Sequence, residues 1–308
     1  MKTSPAYSSA PQNILIVADI EGSSGCWSYE ASSFRTDAWA LACLEMTRDI
    51  EAVLATLFEC GVRKVTVKDF HRTGYNLLPE LLDPRARLIS GYRAGPVPGM
   101  GDPSGAEGVM FIGLHAASGT GGFLAHTLTS RISRLEVNGR LMTEVELFAS
   151  SLAPFGLRPL FFSGCPAACR QAAEAIPGIR TFPCDKSGGA GSLDPIPWRE
   201  VLSRAAADAL GNRDTVPFEP RGPFSARVSL RDGGKTAEKL ARRWNLPWEG
   251  DALLLEEEDI HRLYSQLIRL CYLTPFIEKH AGMLLPLYNL YGRWGLNWAR
   301  QRLRKFRG

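Results

Sequence analysis

Residues 13–25 read NILIVADIEGSSG: an apolar run from Ile14 to Ala18 that ends in two carboxylates, Asp19 and Glu21, and then in glycine and serine. Side chains two positions apart on an extended chain point the same way. Both carboxylates therefore face one crevice at the carboxyl end of a strand. The next apolar run, KVTV at 64–67, ends in Asp69-Phe70-His71, and VMFIGL at 109–114 ends in His115. Three strand ends thus deliver Asp19, Glu21, His71 and His115 to one edge, in a chain with only five histidines. Carboxylates crowded at the mouth of a covered sheet repel one another and are costly to desolvate, so the cluster calls for a cation. Mixed imidazole and carboxylate donors suit zinc, with manganese or cobalt as substitutes, better than the oxygen-seeking magnesium and calcium.

Charge balance sets the number of ions. Two divalent ions carry four positive charges, and Asp19, Glu21 and one further acid carry three negative ones. A hydroxide, the nucleophile of two-metal hydrolases, closes the sum. The further acid is Glu144 or Glu146. Thr143 with Glu146 three positions on is a capping box that opens a helix, which gives Glu146 a structural task and leaves Glu144 for the metal.

The elements that must position these groups follow from pattern. Short runs of successive apolar residues, ILIVA (14–18), KVTV, VMFIGL and PLFFS (159–163), are what strands buried on both faces look like. Between the first two, Thr36 is an N-cap, Leu41, Leu44, Ile50, Val53 and Leu57 recur at helical spacing, and Gly61 supplies the stop. Such alternation predicts an α/β fold with a largely parallel central sheet and helices on both faces. Asn138-Gly139 marks a hairpin just before the capping box. The Gly- and Ser-rich stretch 183–197 reads as a functional loop. After the proline-rich VPFEPRGPF, a strand, helix, strand, helix series forms a smaller α+β companion domain. The expected organisation is a flexible N-terminus at 1–12, a metal-binding catalytic domain at 13–215, the companion at 222–273 and a basic, aromatic, helical tail at 274–308.

With 308 residues, 45% hydrophobic and 22% charged, the chain can bury a core without crosslinks. A net charge of +4 is too small to imply nucleic acid. No window is apolar for the length a spanning helix needs, and the N-terminal residues lack a signal-peptide pattern. Seven cysteines without paired Cys-x-x-Cys spacing fit buried, reduced thiols in the cytoplasm. From Ala281 to Gly308 there are six Arg or Lys residues and no acid, a basic surface for a partner subunit or an anionic membrane.

The motifs ADIEGSSG, KDFH, LISG (Leu88 to Gly91), FIGLHAASGTGGFLAHTL and VNGRLMTEVELFA stand in the order and at about the spacing of the zinc-dependent D-aminopeptidases of the DppA type, which residues 13 to about 165 resemble closely and the companion domain weakly. The resemblance implies metal ligands at Asp19, Glu21, His71, His115 and Glu144, a pair of zinc ions, and His126 as the catalytic histidine. It also implies a ring-shaped homo-oligomer, a decamer if family-like, with active sites facing an enclosed space. Asp69 is expected to orient a ligating imidazole, and Lys186 to contact substrate. The implied reaction is hydrolysis of an amide in a short peptide, of D configuration.

Two departures lie where substrate binds. Cys165-Pro166 stand where the family carries two acidic residues, and the loop around Lys186 lacks the family's Arg-containing segment. An amide or ester hydrolase, or an acyl-transfer enzyme of a biosynthetic pathway, is therefore the first alternative, and a metal-binding protein without turnover the second. GTGG and SGGAG follow neither dinucleotide nor P-loop spacing, which leaves a nucleotide-binding reading last.

Overall fold

In the computed structural model, residues 10–103 and 105–307 are described. Of the expected flexible start, residues 1–9 lie outside the described part. Gln12 is already held, its carbonyl accepting from the N–H groups of Arg63 and Lys64.

Six strands form a wholly parallel sheet: β1 (Asn13–Ala18), β2 (Lys64–Asp69), β3 (Arg87–Ile89), β4 (Gly108–Leu114), and, after the hairpin β5 (Ile132–Val137) and β6 (Arg140–Leu141), β7 (Arg158–Gly164) and β8 (Arg180–Pro183). Their spatial order is β3-β2-β1-β4-β7-β8. The chain leaves β1 in one direction to build β2 and β3, then returns to place β4 on its other side. The carboxyl ends of β1 and β4 therefore flank a topological switch point, the place where open α/β sheets bind ligands.

Both faces of the sheet are covered. Ile14, Ile16 and Ala18 pack with α1 (Asp37–Glu59), while Leu15 and Val17 pack with α2 (Glu144–Leu152) and α3 (Pro166–Ala175). Thr36 caps α1, its hydroxyl accepting from Trp39 N at 2.9 Å. Ile50, Val53 and Leu57 are fully buried, each worth about 2 kcal/mol of apolar burial. Leu41, expected on the same face, is 46% exposed: it stands nine positions, two and a half turns, before Ile50 and so faces the opposite way. Beside α1 lies α4 (Pro195–Asp208), which starts three residues earlier than the sequence pattern suggests because Asp194 caps it at Ile196 N.

A second, antiparallel sheet has the order β10-β11-β9-β5-β6, with β9 (Phe224–Leu230), β10 (Trp248–Glu249) and β11 (Ala252–Glu257). Strands β9 and β11 and the helices α5 (Gly234–Trp244) and α6 (Ile260–Tyr272) make up the expected strand, helix, strand, helix series, and the short β10 is a strand the sequence pattern did not mark. The sheet is not built from 222–273 alone, however. Strand β5 of the Asn138-Gly139 hairpin pairs with β9 across some ninety residues, Leu135 opposite Val228, and ties the element that presents Glu144 to the companion unit. The tail forms α7 (Pro275–Lys279) and α8 (Ala281–Arg307), and α8 buries Leu296, Ala299 and Leu303 in the core around α1. Among the described residues every cysteine is free, and Cys60 is exposed rather than buried. No helix among them is long and apolar enough to cross a membrane.

Candidate metal centre

Each strand end delivers its group as a direct continuation of the ladder. After β1, Asp19 N still bonds Ile112 O at 2.9 Å and Gly22 N bonds Gly113 O at 2.7 Å, so the Asp19–Glu21 turn is locked to the end of β4. Gly113 makes this possible: its φ is +80°, and a Cβ there would sit 2.2 Å from Asp19 O.

Asp19 lies at the centre. Its Oδ1 is 3.1 Å from His71 Nδ1, and its Oδ2 is 3.4 Å from His115 Nε2. Glu21 Oε2 lies 3.0 Å from the same His71 nitrogen, and Glu144 Oε2 lies 3.5 Å from His115 Nε2. Asp19 joins Glu21 and His71 on one side to His115 and Glu144 on the other, and ligand atoms of Asp19, Glu21 and His115 also lie within 4.8 Å of one another. All five residues are buried.

The far nitrogen of each imidazole settles its tautomer. His71 Nε2 is 2.9 Å from Ser32 O, and His115 Nδ1 is 3.2 Å from Ala116 O. A neutral ring that donates from those nitrogens turns a bare lone pair, His71 Nδ1 or His115 Nε2, toward the carboxylates. Lone pairs then face lone pairs across each half of the site. Glu21 Oε2 is buried without a hydrogen bond, the unsatisfied acceptor that a cation would complete.

Electrostatics point the same way. Burial, then the Glu21 charge, pushes the Asp19 carboxyl up to about 7. Burial opposes the charged form of Glu21 too, but His71 outweighs it and holds that carboxyl well below the usual range. For His71, burial is outweighed by Glu21 and Asp19, which hold the imidazole well above its ordinary value. His115 is raised in the same sense, against burial, by Glu144, Asp19 and Glu21.

Glu144 is the first residue of α2, as the capping box requires: Thr143 Oγ1 accepts from Glu146 N at 3.2 Å, and Glu146 Oε2 accepts from Thr143 N at 2.8 Å. The other oxygen of Glu144 accepts from Leu128 N. His126 stacks on His115, ring centroids 3.7 Å apart and planes at 13°. Its Nδ1 is 2.8 Å from Leu124 O, so Nε2 is the open nitrogen. Burial, then neighbouring His115, lowers its pKa and keeps the ring neutral. Ligand atoms of His115, His126 and Glu144 lie within 4.8 Å of one another.

Asp69 differs from expectation. Its oxygens are taken by Asn76 N, Asn76 Nδ2 and Leu77 N at 2.5, 2.8 and 2.8 Å, and it bonds neither imidazole. It acts at one remove: Asn76 Nδ2 also donates to His71 O at 2.7 Å, fixing the backbone that carries the ring. Lys186 is buried, with Nζ donating to Ser23 O and lying 4.3 Å from the Trp27 ring. It sits beside the Glu21 turn.

Sequence reasoning missed the support beneath that turn. Asp49 accepts from Ser24 N at 2.8 Å and Ser24 Oγ at 2.7 Å, and pairs with Arg199 Nε at 2.7 Å. Asp49 and Arg199 are 150 positions apart, and neither stands in a motif that marks it.

The fold and the site together define an α/β protein whose parallel sheet carries a candidate metal centre at its switch point. Residues 13–246 match the D-aminopeptidase family of peptidases, and the chain belongs to that family. A D-aminopeptidase of Bacillus subtilis is 30% identical over 183 residues, 58% of this chain and 66% of that relative's length. The fold is that of a solved structure described as the Zn-dependent D-aminopeptidase DppA of Bacillus subtilis, a self-compartmentalizing protease, with a TM-score of 0.76 and 23% identity over 84% of this chain and 97% of the other.

Proposed function

We propose that the protein is a zinc-dependent aminopeptidase that holds two metal ions and cleaves an amide bond in short peptides, of D configuration as the family name suggests. The observation that carries this reading is the position of Asp19, whose two oxygens face two separate sets of metal-directed lone pairs. Asp19, Glu21 and His71 would hold one ion, and Asp19, His115 and Glu144 the other. Bound there, the ions supply Lewis acidity, which polarises an amide carbonyl and acidifies water.

The chain's own groups supply the rest. His126 offers a neutral, open Nε2 beside this centre; it takes up a proton and delivers it to the departing amine. The Lys186 ammonium, anchored on Ser23 O, orients the negative end of a short peptide. Asp69 and Asn76 hold the His71 backbone in register. Manganese or cobalt can replace zinc on the same donors. The free cysteines suit a cytoplasmic setting, and a ring-shaped homo-oligomer, a decamer if family-like, follows the self-compartmentalizing relative. Residues 13–215 are the catalytic unit, with 222–273 as the companion.

One observation favours a second reading, an amide or ester hydrolase or acyl-transfer enzyme on this scaffold. Cys165, replacing a family acid, is buried against Gly122 in the loop that leads to His126, which makes that wall of the site neutral. The test is elemental analysis with a substrate panel. Purified protein should carry two equivalents of zinc and release the N-terminal residue from D-Ala-D-Ala and D-aminoacyl amides. A metal-replete protein without bound metal would sink both readings, and turnover confined to esters or N-acyl amides would favour the second.

A further inference from the structure

The helix α8 has two unlike faces. One packs on the body of the protein at the rim that carries the metal site. Gly292 lies against Tyr75, and Gly295 against Phe34. Asn289 pairs with the backbone of Tyr92, accepting from its N–H at 3.0 Å and donating to its carbonyl at 3.1 Å. These loops adjoin His71, whose ring rests on Ser32 O.

The other face carries Met283, Leu287, Leu290 and Trp294, which are 65%, 57%, 56% and 51% exposed. Their spacing of four, three and four keeps them in one straight stripe. From Ala281 to Gly292 the helix holds no charged residue. From Arg293 on the same helix turns basic: Arg293, Arg304 and Lys305 are exposed, while Arg300 and Arg302 are committed to Glu80 and Asp37. No acid stands anywhere between Ala281 and Arg307. Tyr288 and Tyr291, both exposed, flank the apolar turns.

We propose that this face of α8 docks on an anionic lipid bilayer, lying in the interface without crossing it. The apolar turns enter the acyl boundary, the tyrosines and Trp294 sit at headgroup depth, and the basic end meets lipid phosphate. Charge favours lipid over a second copy of the chain. A twofold contact would place the same patch on both partners, and an antiparallel pair would lay Arg304 and Lys305 on uncharged turns with no acid in the helix to meet them. The docking itself does not depend on the amide chemistry.

The test is flotation of the full chain with phosphatidylcholine vesicles, with and without phosphatidylglycerol. Wild type should float with the anionic vesicles, less with the neutral ones, and less as salt rises. Leu287→Asp/Leu290→Asp should cut the floating fraction about tenfold or more, and Arg304→Glu/Lys305→Glu should remove the preference for anionic lipid. Circular dichroism checks the folding of each variant. A readout that needs no folded double variant is tryptophan quenching by bromolipid in the wild type, reduced in Trp294→Phe. Failure of the wild type to float with anionic vesicles would overturn the proposal, as would equal flotation of the double-aspartate variant. A double-aspartate variant of lower native mass by light scattering, with a wild type that does not float, would assign the face to contact between copies.

Discussion

Loading metal into the stripped protein should release protons. Against burial, Glu21 and Asp19 hold the His71 imidazole well above its ordinary value, and burial with the Glu21 charge pushes Asp19 up to about 7. Metal requires both groups deprotonated, so saturation at pH 7 should expel about one proton or more per chain. The sign of the pH dependence is fixed by the same two groups. Each proton displaced costs about tenfold in apparent affinity per pH unit. Affinity therefore weakens as pH falls, and more steeply once Asp19 is also protonated. Calorimetric titration of zinc in two buffers of different ionisation enthalpy gives the proton number directly. A value near zero at pH 7, or an affinity that does not change between pH 6 and 8, would refute the assignment of His71 and Asp19 as facing ligands.

Three further outcomes are expected. Glu21→Gln and Glu144→Gln should each leave about one metal ion per chain by elemental analysis, and Asp19→Asn, which removes the shared group, should leave close to none. His126→Ala should keep the metal content but lower kcat by about a hundredfold or more on the best substrate found; loss of metal in that variant would make His126 a ligand instead. Arg199→Ala strands the buried Asp49 carboxylate and should cost about 3 kcal/mol of stability by urea denaturation. Since burial, opposed by Arg199 and Ser24, already raises the Asp49 pKa in the folded state, the folded chain binds more protons than the unfolded one, and the deficit should widen as pH rises through the carboxyl range.

Much of the candidate site was legible because Asp19, Glu21, His71 and His115 stand where apolar runs stop. ILIVA and VMFIGL are covered on both faces, so the polar residue that follows has one place to go, the strand-end rim. Glu144 was separable from Glu146 because a capping box consumes a named oxygen. The rest depends on contacts between distant segments, which local pattern does not encode. Asn138-Gly139 marks the hairpin that contains β5, yet nothing in it names β9 as the partner. Asp69 stands two positions before His71 in sequence, but its bonds are decided by Asn76, in a loop without a motif. The same holds for Asp49 with Arg199, and for Leu41, where one register step around a long helix separates core from solvent.

The two halves of the centre stand on opposite sides of one backbone ladder, with Asp19 and Glu21 at the end of β1 and His115 at the end of β4. The spacing of these donor groups is thereby set by hydrogen-bonded peptide groups of the ladder, a length that side-chain substitution barely alters. A change of specificity in this scaffold need not retune its reactive core.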